Sequence, residues 1–305
     1  MTVYQLTVNL DGVAVGLQRS LQRAMDLVSF GLHAAQVAQP PLQDTDPAVG
    51  TAETVPGIHR DLALPGVLFQ MIPASEVALT FDTARQLFHR WVLACGFRDA
   101  TEALAPLLEE ARTVGVVASA GRTITAAVWK DQVLGGRQKF DRMTLKDKIH
   151  LLVQVCGSGI VPSLMPQVET IVVARNCLVH RRGVVGERDI NHKTPEGDSL
   201  KVEWLAPQFV VTSPDGGERV ITELPFVVKG GGTIVLRQMA SSRTFRRGET
   251  VDLTASEFNN VCWTLLMFAK QLVANLRDLL VAKGLLTVDG TDNTPDAQAE
   301  NGNPA

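Results

Sequence analysis

No Cys-x2-Cys pair occurs in this sequence; its four cysteines, Cys95, Cys156, Cys177 and Cys262, lie far apart. That spacing suggests neither a disulfide framework nor a zinc cluster. His59, His89, His150 and His192 have no metal-ligand spacing with another histidine or a cysteine, and no metal and no cofactor is expected. The glycine run Lys229-Gly230-Gly231-Gly232-Thr233 lacks the spacing of a phosphate-binding loop and reads as a turn. An excess of positive charge is missing too. The formal net charge is −3, so any contact with nucleic acid must come from a local basic patch. Clean hydrophobic runs of membrane length are also absent. Residues 151–174 carry Gln154, Pro162, Pro166 and Glu169, and 261–281 carry Lys270, Arg277 and Asp278. Near the start, Asp11, Arg19 and Arg23 interrupt anything resembling a signal-peptide core. A cytoplasmic protein without a membrane partner is the expectation.

What is present is ordinary for a globular chain: 305 residues, 45% hydrophobic and 20% charged, enough for one or two domains. Residues 3–10 alternate as a strand would, and 17–37 repeat as an amphipathic helix. Residues 38–56 hold four prolines and read as a linker. Phe81, Ala84, Leu87, Phe88, Trp91, Val92 and Cys95 then form an apolar helical stripe. Asp99 and Glu102 have capping-box spacing for a second helix, which Pro106 kinks or restarts. Further helices are read over 122–134, over 144–156 with Thr144 as cap, and over 166–182. After Gly183 the pattern changes. KVEWL, QFVVTS, ERVITELPFVV and TIVLRQ alternate or run apolar between Pro-Asp-Gly-Gly and Gly-Gly-Gly turns, as a small antiparallel sheet would. Helical spacing returns from about Thr254 to Lys283, and 285–305 is polar and rich in Pro, Gly and Asn, as a disordered tail would be. The fold class expected is α+β, mainly α: a helical bundle with a small appended antiparallel β-sheet and a long C-terminal helix. The divisions read are 1–60, unassigned; 61–183, bundle; 184–253, β insertion; 254–284, final helix on the bundle; and 285–305, tail.

The most informative stretch is 166–186, PQVETIVVARNCLVHRRGVVG. Pro166 suits a first helical turn and Gly183 the position past a helix end. On a helical wheel Val168, Ile171, Val172, Leu178 and Val179 make one stripe with Arg175 in its middle, and Val173, Ala174 and Cys177 leave the other side apolar as well. A helix apolar on two sides has two things to pack against, one of which can be a second copy of the chain, and a buried Arg175 needs an acidic partner. Asp99 and Glu102, on a neighbouring helix, are the candidates. Asn176 and His180 are one turn apart along a polar edge.

The string Arg175-Asn176-Cys177-Leu178-Val179-His180 resembles the Arg-x4-6-His signature of the HEPN superfamily, in which a polar residue commonly follows the arginine. The resemblance is best over 81–182 and extends more loosely to 248–254 and the last helix. It implies a HEPN-like bundle and metal-independent cleavage of RNA at a homodimer interface, often in toxin–antitoxin or anti-phage defence systems, with an antitoxin protein as a further partner. It also admits non-catalytic dimerisation or RNA-binding modules. On the enzymatic reading Arg175, Asn176 and His180 are catalytic: arginine offers a fork to phosphate, histidine serves in either proton role, and the helix C-terminus tilts His180 toward general acid. Arg181 and Arg182 would hold RNA, although basic residues in a last turn also complement a helix dipole. The structural alternative makes Arg175 a paired buried ion and His180 a satisfied polar residue. Arg237, Arg243, Arg246 and Arg247 form a second basic patch, read first as a guarded hairpin edge and second as a phosphate contact. His89, with Arg85 one turn before it, and His150 read as ordinary helix residues.

Overall fold

The structure, a computed structural model, describes residues 10–38, 81–121, 125–195, 197–213, 216–221 and 232–286. The strand expected at 3–10, the linker at 38–56 and the tail at 285–305 fall almost wholly outside them. Among the described residues the chain is mainly helical with one four-stranded antiparallel sheet, the α+β class expected. No helix among them is long and apolar enough to cross a membrane.

The chain forms two compact units, Met1–Leu108 with Pro162–Gln271 and Glu109–Val161 with Leu272–Ala305. The first contains α1 (Leu10–Val37), α2 (Phe81–Glu102), α7 (Met165–His180), the sheet and the first part of α8 (Ala255–Ala282). Helices α1 and α2 meet through small residues. A Cβ added at Gly31 would press on Val92, and one at Gly96 would collide with Val28 and approach Phe258 to 2.9 Å. This contact decides which face of α2 goes inside. Val92, Leu93, Gly96, Phe97 and Ala100 are buried, with Phe97 against Phe258 of α8 at 5.4 Å between ring centroids. The stripe read from the sequence is therefore only partly right, because close approach favours the face with small residues. Leu87, Phe88 and Trp91 stay outside, Trp91 at 62% exposure and stacked on Phe88. On α1, Phe30 is 74% exposed.

The Asp99–Glu102 segment is also corrected: it is the last turn of α2, not the start of a new helix. The restart comes at α3 (Ala105–Ala120), with Pro106 in its first turn, where a missing N–H costs nothing.

In the sheet, β2 (Gly197–Thr212) is central. Along one edge it pairs with β4 (Thr233–Arg246) from Ser199↔Arg246 to Thr212↔Thr233. On the other edge β1 (His192–Thr194) and β3 (Glu218–Val220) cover only its two ends. KVEWL and QFVVTS are thus one strand, with Pro207 inside it opposite Gln238. Between β1 and β3 the β2 backbone would be left unpaired, and side chains complete it. The N–H groups of Lys201, Glu203 and Leu205 donate to Asn191 Oδ1 (2.7 Å), Thr170 Oγ1 (2.9 Å) and Thr264 Oγ1 (2.8 Å). Two of these acceptors lie on α7 and α8, so the sheet's open edge fastens both helices. Thr254 and Glu257 cap α8 reciprocally.

The second unit holds most of α3, α4 (Ala126–Val128), a π-helical turn (Trp129–Leu134), α5 (Gly135–Asp141), α6 (Leu145–Cys156) and the end of α8. Thr144 caps α6 as expected, accepting from Asp147 N–H at 3.2 Å. The helix read over 122–134 runs instead from Ala126 through the π turn to Asp141, with 122–124 not described. The buried guanidinium of Arg112 donates to the Gln132 and Val133 carbonyls of that turn at 2.7 and 2.8 Å and lies over Phe140.

Candidate active site

Helix α7 ends abruptly. Gly183 N–H returns to the Cys177 carbonyl at 3.1 Å, Arg182 takes a left-handed conformation (φ 56°), and Gly183 follows at φ 74°. The chain then runs beside 249–251, with Val185 N–H on Glu249 O (2.9 Å) and Val251 N–H on Gly183 O (2.8 Å). His180 is therefore the last residue of a helix whose end is pinned on both sides.

The buried face of α7 is Val168, Ile171, Ala174, Cys177 and Leu178. It is rotated from the stripe read in the sequence: Ala174 and Cys177 point inward, and Val172 and Val179 are half-buried. Helix α7 packs on α2 and on β2, so its two apolar sides are used within its own chain. That leaves the half-buried Val172, Val173 and Val179 as the apolar residues of the helix that a second copy could still meet.

That rotation brings Arg175 out of the core. Its side chain is 22% exposed, and it gathers the polar residues around it. Nη1 donates to Asn176 Oδ1 at 3.1 Å and lies 3.2 Å from His180 Nε2. Nη2 reaches Glu102 Oε1, at the end of α2, at 3.5 Å. Because arginine only donates, His180 Nε2 is the acceptor in this arrangement and the ring proton belongs on Nδ1. Glu102 is 61% exposed, so it steadies the guanidinium from the solvent side. Asp99, the other carboxylate read as a partner, lies 3.4 Å from Arg98 instead; among the described residues no bond joins it to Arg175.

Arg181 and Arg182 divide. Arg181 is drawn inward to Asp189, which has no solvent exposure. Nε donates to Oδ2 at 2.7 Å, Nη2 donates to Oδ1, and Gly186 N–H adds a third bond at 2.9 Å. This hydrogen-bonded pairing raises the Arg181 pKa further. Arg182 remains exposed beside His180. Asp189 was not singled out from the sequence. Its loop position among charged residues carries no sign of burial, and only the turn at Gly186 aims it at Arg181. Burial pushes the Cys177 thiol up to about 12, so it stays protonated near neutrality and supplies no nucleophile. In the second basic patch Arg237 pairs with Glu218, and Arg243 with Asp252 and Glu257, which suits a guarded sheet edge.

The cluster therefore holds a cation with its fork half open, an imidazole with a usable lone pair, an amide and an outer carboxylate. Such a group can bind a phosphate and move a proton beside it. Compared with protein-family models, curated proteins and solved structures, the chain matches none.

Proposed function

We propose that this chain is a metal-independent endoribonuclease of the HEPN type, acting as a homodimer. The observation that supports it most is the meeting of Arg175, Asn176 and His180 on one guanidinium, at 3.1 and 3.2 Å, on a partly open surface. A phosphate entering there competes with His180 for Arg175 and frees Nε2. That nitrogen then takes the proton of a ribose 2′-hydroxyl as its oxygen attacks the adjacent phosphorus. The P–O5′ bond breaks, a 2′,3′-cyclic phosphate forms, and the 5′-oxygen leaves with a proton. Arg175 stabilises the charge on the equatorial oxygens. In a two-fold dimer the second copy of the site supplies the proton donor. The geometry thus favours His180 as base, where the helix dipole had suggested acid.

Arg182 is the free RNA contact on this reading, and Arg181 acts through Asp189 to hold the turn. A toxin or anti-phage role in the cytoplasm, with an antitoxin protein as regulator, belongs to the same proposal. The test is incubation of the full chain with labelled RNA in excess chelator. Cleavage should persist and leave cyclic phosphate ends, and His180→Ala should slow it on the order of 10²–10⁴-fold. Loss of cleavage in chelator, or an undiminished rate in His180→Ala, overturns the reading.

A second reading, a non-catalytic dimerisation module, is favoured by a different observation. Leu27, Phe30, Leu87, Phe88 and Trp91 are all exposed on α1 and α2, and Phe88 stacks on Trp91 there.

A further inference from the structure

A cavity of about 510 Å³ opens where the end of α1, the first turns of α2 and the 250–252 stretch meet. Its volume lies within the ~300–1,000 Å³ usual for small-ligand sites. The lining is rich in donors: Arg85, Arg90, His89, Gln86 and Thr250, with Asp252 the one carboxylate among the described lining residues. The charges are not cancelled within the cavity. Asp252 is turned to Arg243 outside it, at 2.9 Å. Arg85 shares Asp82, at 3.0 Å, in a pair open to solvent. No carboxylate bonds Arg90 among the described residues. His89 is held below its ordinary value chiefly by burial, with Asp252 opposing and Arg90 adding to the shift. Near neutral pH it is an uncharged ring with one N–H to give. Two guanidinium groups, an imidazole, an amide and a hydroxyl suit phosphate oxygens and the hydroxyls beside them.

The location connects this cavity with the Arg175 cluster. Thr250, in its lining, pairs with Val184, four residues past His180. Four residues span at most about 14 Å, and a bridge adds about 5 Å, so Thr250 lies within roughly 20 Å of His180. One extended strand can touch both.

We propose that this cavity binds a nucleotide through its phosphate, and that the nucleotide is a unit of the RNA strand a short distance from the bond that is cut. The second half rests on the ribonuclease reading; the first does not.

The experiment uses the full chain and two probes. The first is 5′-AMP, followed through the imidazole NMR signals of His89. The second is a 2′-O-methyl dodecanucleotide, which lacks the attacking hydroxyl, with its affinity measured against salt. Saturable His89 shifts with 5′-AMP are expected in the parent and not in Arg90→Gln. Arg90→Gln should also lower the oligonucleotide's salt slope by about 1, as one lost phosphate contact does. With cleavable RNA it should raise KM about tenfold and leave kcat alone. Gln86→Glu, at an exposed position, tests the same cavity by charge if Arg90→Gln folds poorly. His89 signals indifferent to both probes overturn the proposal. Shifts with 5′-AMP but no binding of the oligonucleotide keep the cavity as a free-nucleotide site and reject the ribonuclease reading. RNA cleavage that needs His180 but ignores both cavity variants does the reverse.

Discussion

Arg175 and Arg181 stand six residues apart at one helix end, and the structure predicts opposite consequences for removing them. Were Arg175 buried against a buried carboxylate, as its place in the apolar stripe predicts, Arg175→Ala would cost about 3–5 kcal/mol. The geometry moves that loss to Arg181. The partner of Arg175 is Glu102, 61% exposed and 3.5 Å away, which water can solvate once the guanidinium is gone. An exposed ion pair of this kind contributes less than about 1 kcal/mol. Asp189 has no exposure, and three of its bonds come from Arg181 Nε, Arg181 Nη2 and Gly186 N–H. Arg181→Ala removes the two guanidinium bonds and leaves the buried charge only Gly186 N–H and the neutral Cys177 thiol. Because the Arg181 side chain itself is 30% exposed and water can partly replace it, the expected loss is about 3 kcal/mol, the lower end of the buried-pair range. Urea denaturation followed by circular dichroism reads both variants. With m near 2 kcal/mol/M, the Arg181→Ala midpoint should fall by about 1.5 M and the Arg175→Ala midpoint by less than about 0.5 M. If Arg175→Ala loses more than Arg181→Ala, the rotation of α7 described above is wrong.

Gly96→Ala should cost about 1–3 kcal/mol, since its Cβ meets Val28 and Phe258 in a close-packed contact; an unchanged melting temperature would refute that packing. Trp91→Lys together with Phe30→Lys should leave the fold intact, because both side chains are exposed, yet convert a dimer to monomer if α1 and α2 carry the interface; light scattering decides. Alkaline pH should weaken the fold. Burial pushes the thiols of Cys156 to about 11 and of Cys177 and Cys262 to about 12, from an ordinary 9.0. The folded chain then holds protons that the unfolded chain has lost. This stabilisation is complete below the ordinary value and disappears as pH rises through the folded values. Denaturation midpoints at pH 8 and pH 10 measure it, and a thiol reagent at pH 8 should modify Cys177 and Cys262 only after denaturant is added.

Most elements were legible in the sequence because their signals are local. Thr144 and Thr254 cap helices that begin after them, and the α8 periodicity holds along its length. The Arg175–His180 spacing is local as well, but five helical residues make about 1.4 turns, so only the long guanidinium at the helix end closes the distance to 3.2 Å. What a wheel cannot decide is which apolar face goes inside. On α2 that choice was made by Gly96 and Gly31, which let two backbones approach, and it left Trp91 in solvent. On α7 it was made by β2, whose free N–H groups take Thr170, and it turned Ala174 inward and Arg175 outward. The cavity between α1, α2 and 250–252 depends on segments far apart along the chain, and the partnership of Arg181 with Asp189, eight residues on, depends on the turn at Gly186. The sequence alone determined the helices, the sheet class and the residue types beside His180. Only tertiary packing decided which arginine is free to meet a ligand, because burial belongs to the contact between elements and not to either element alone.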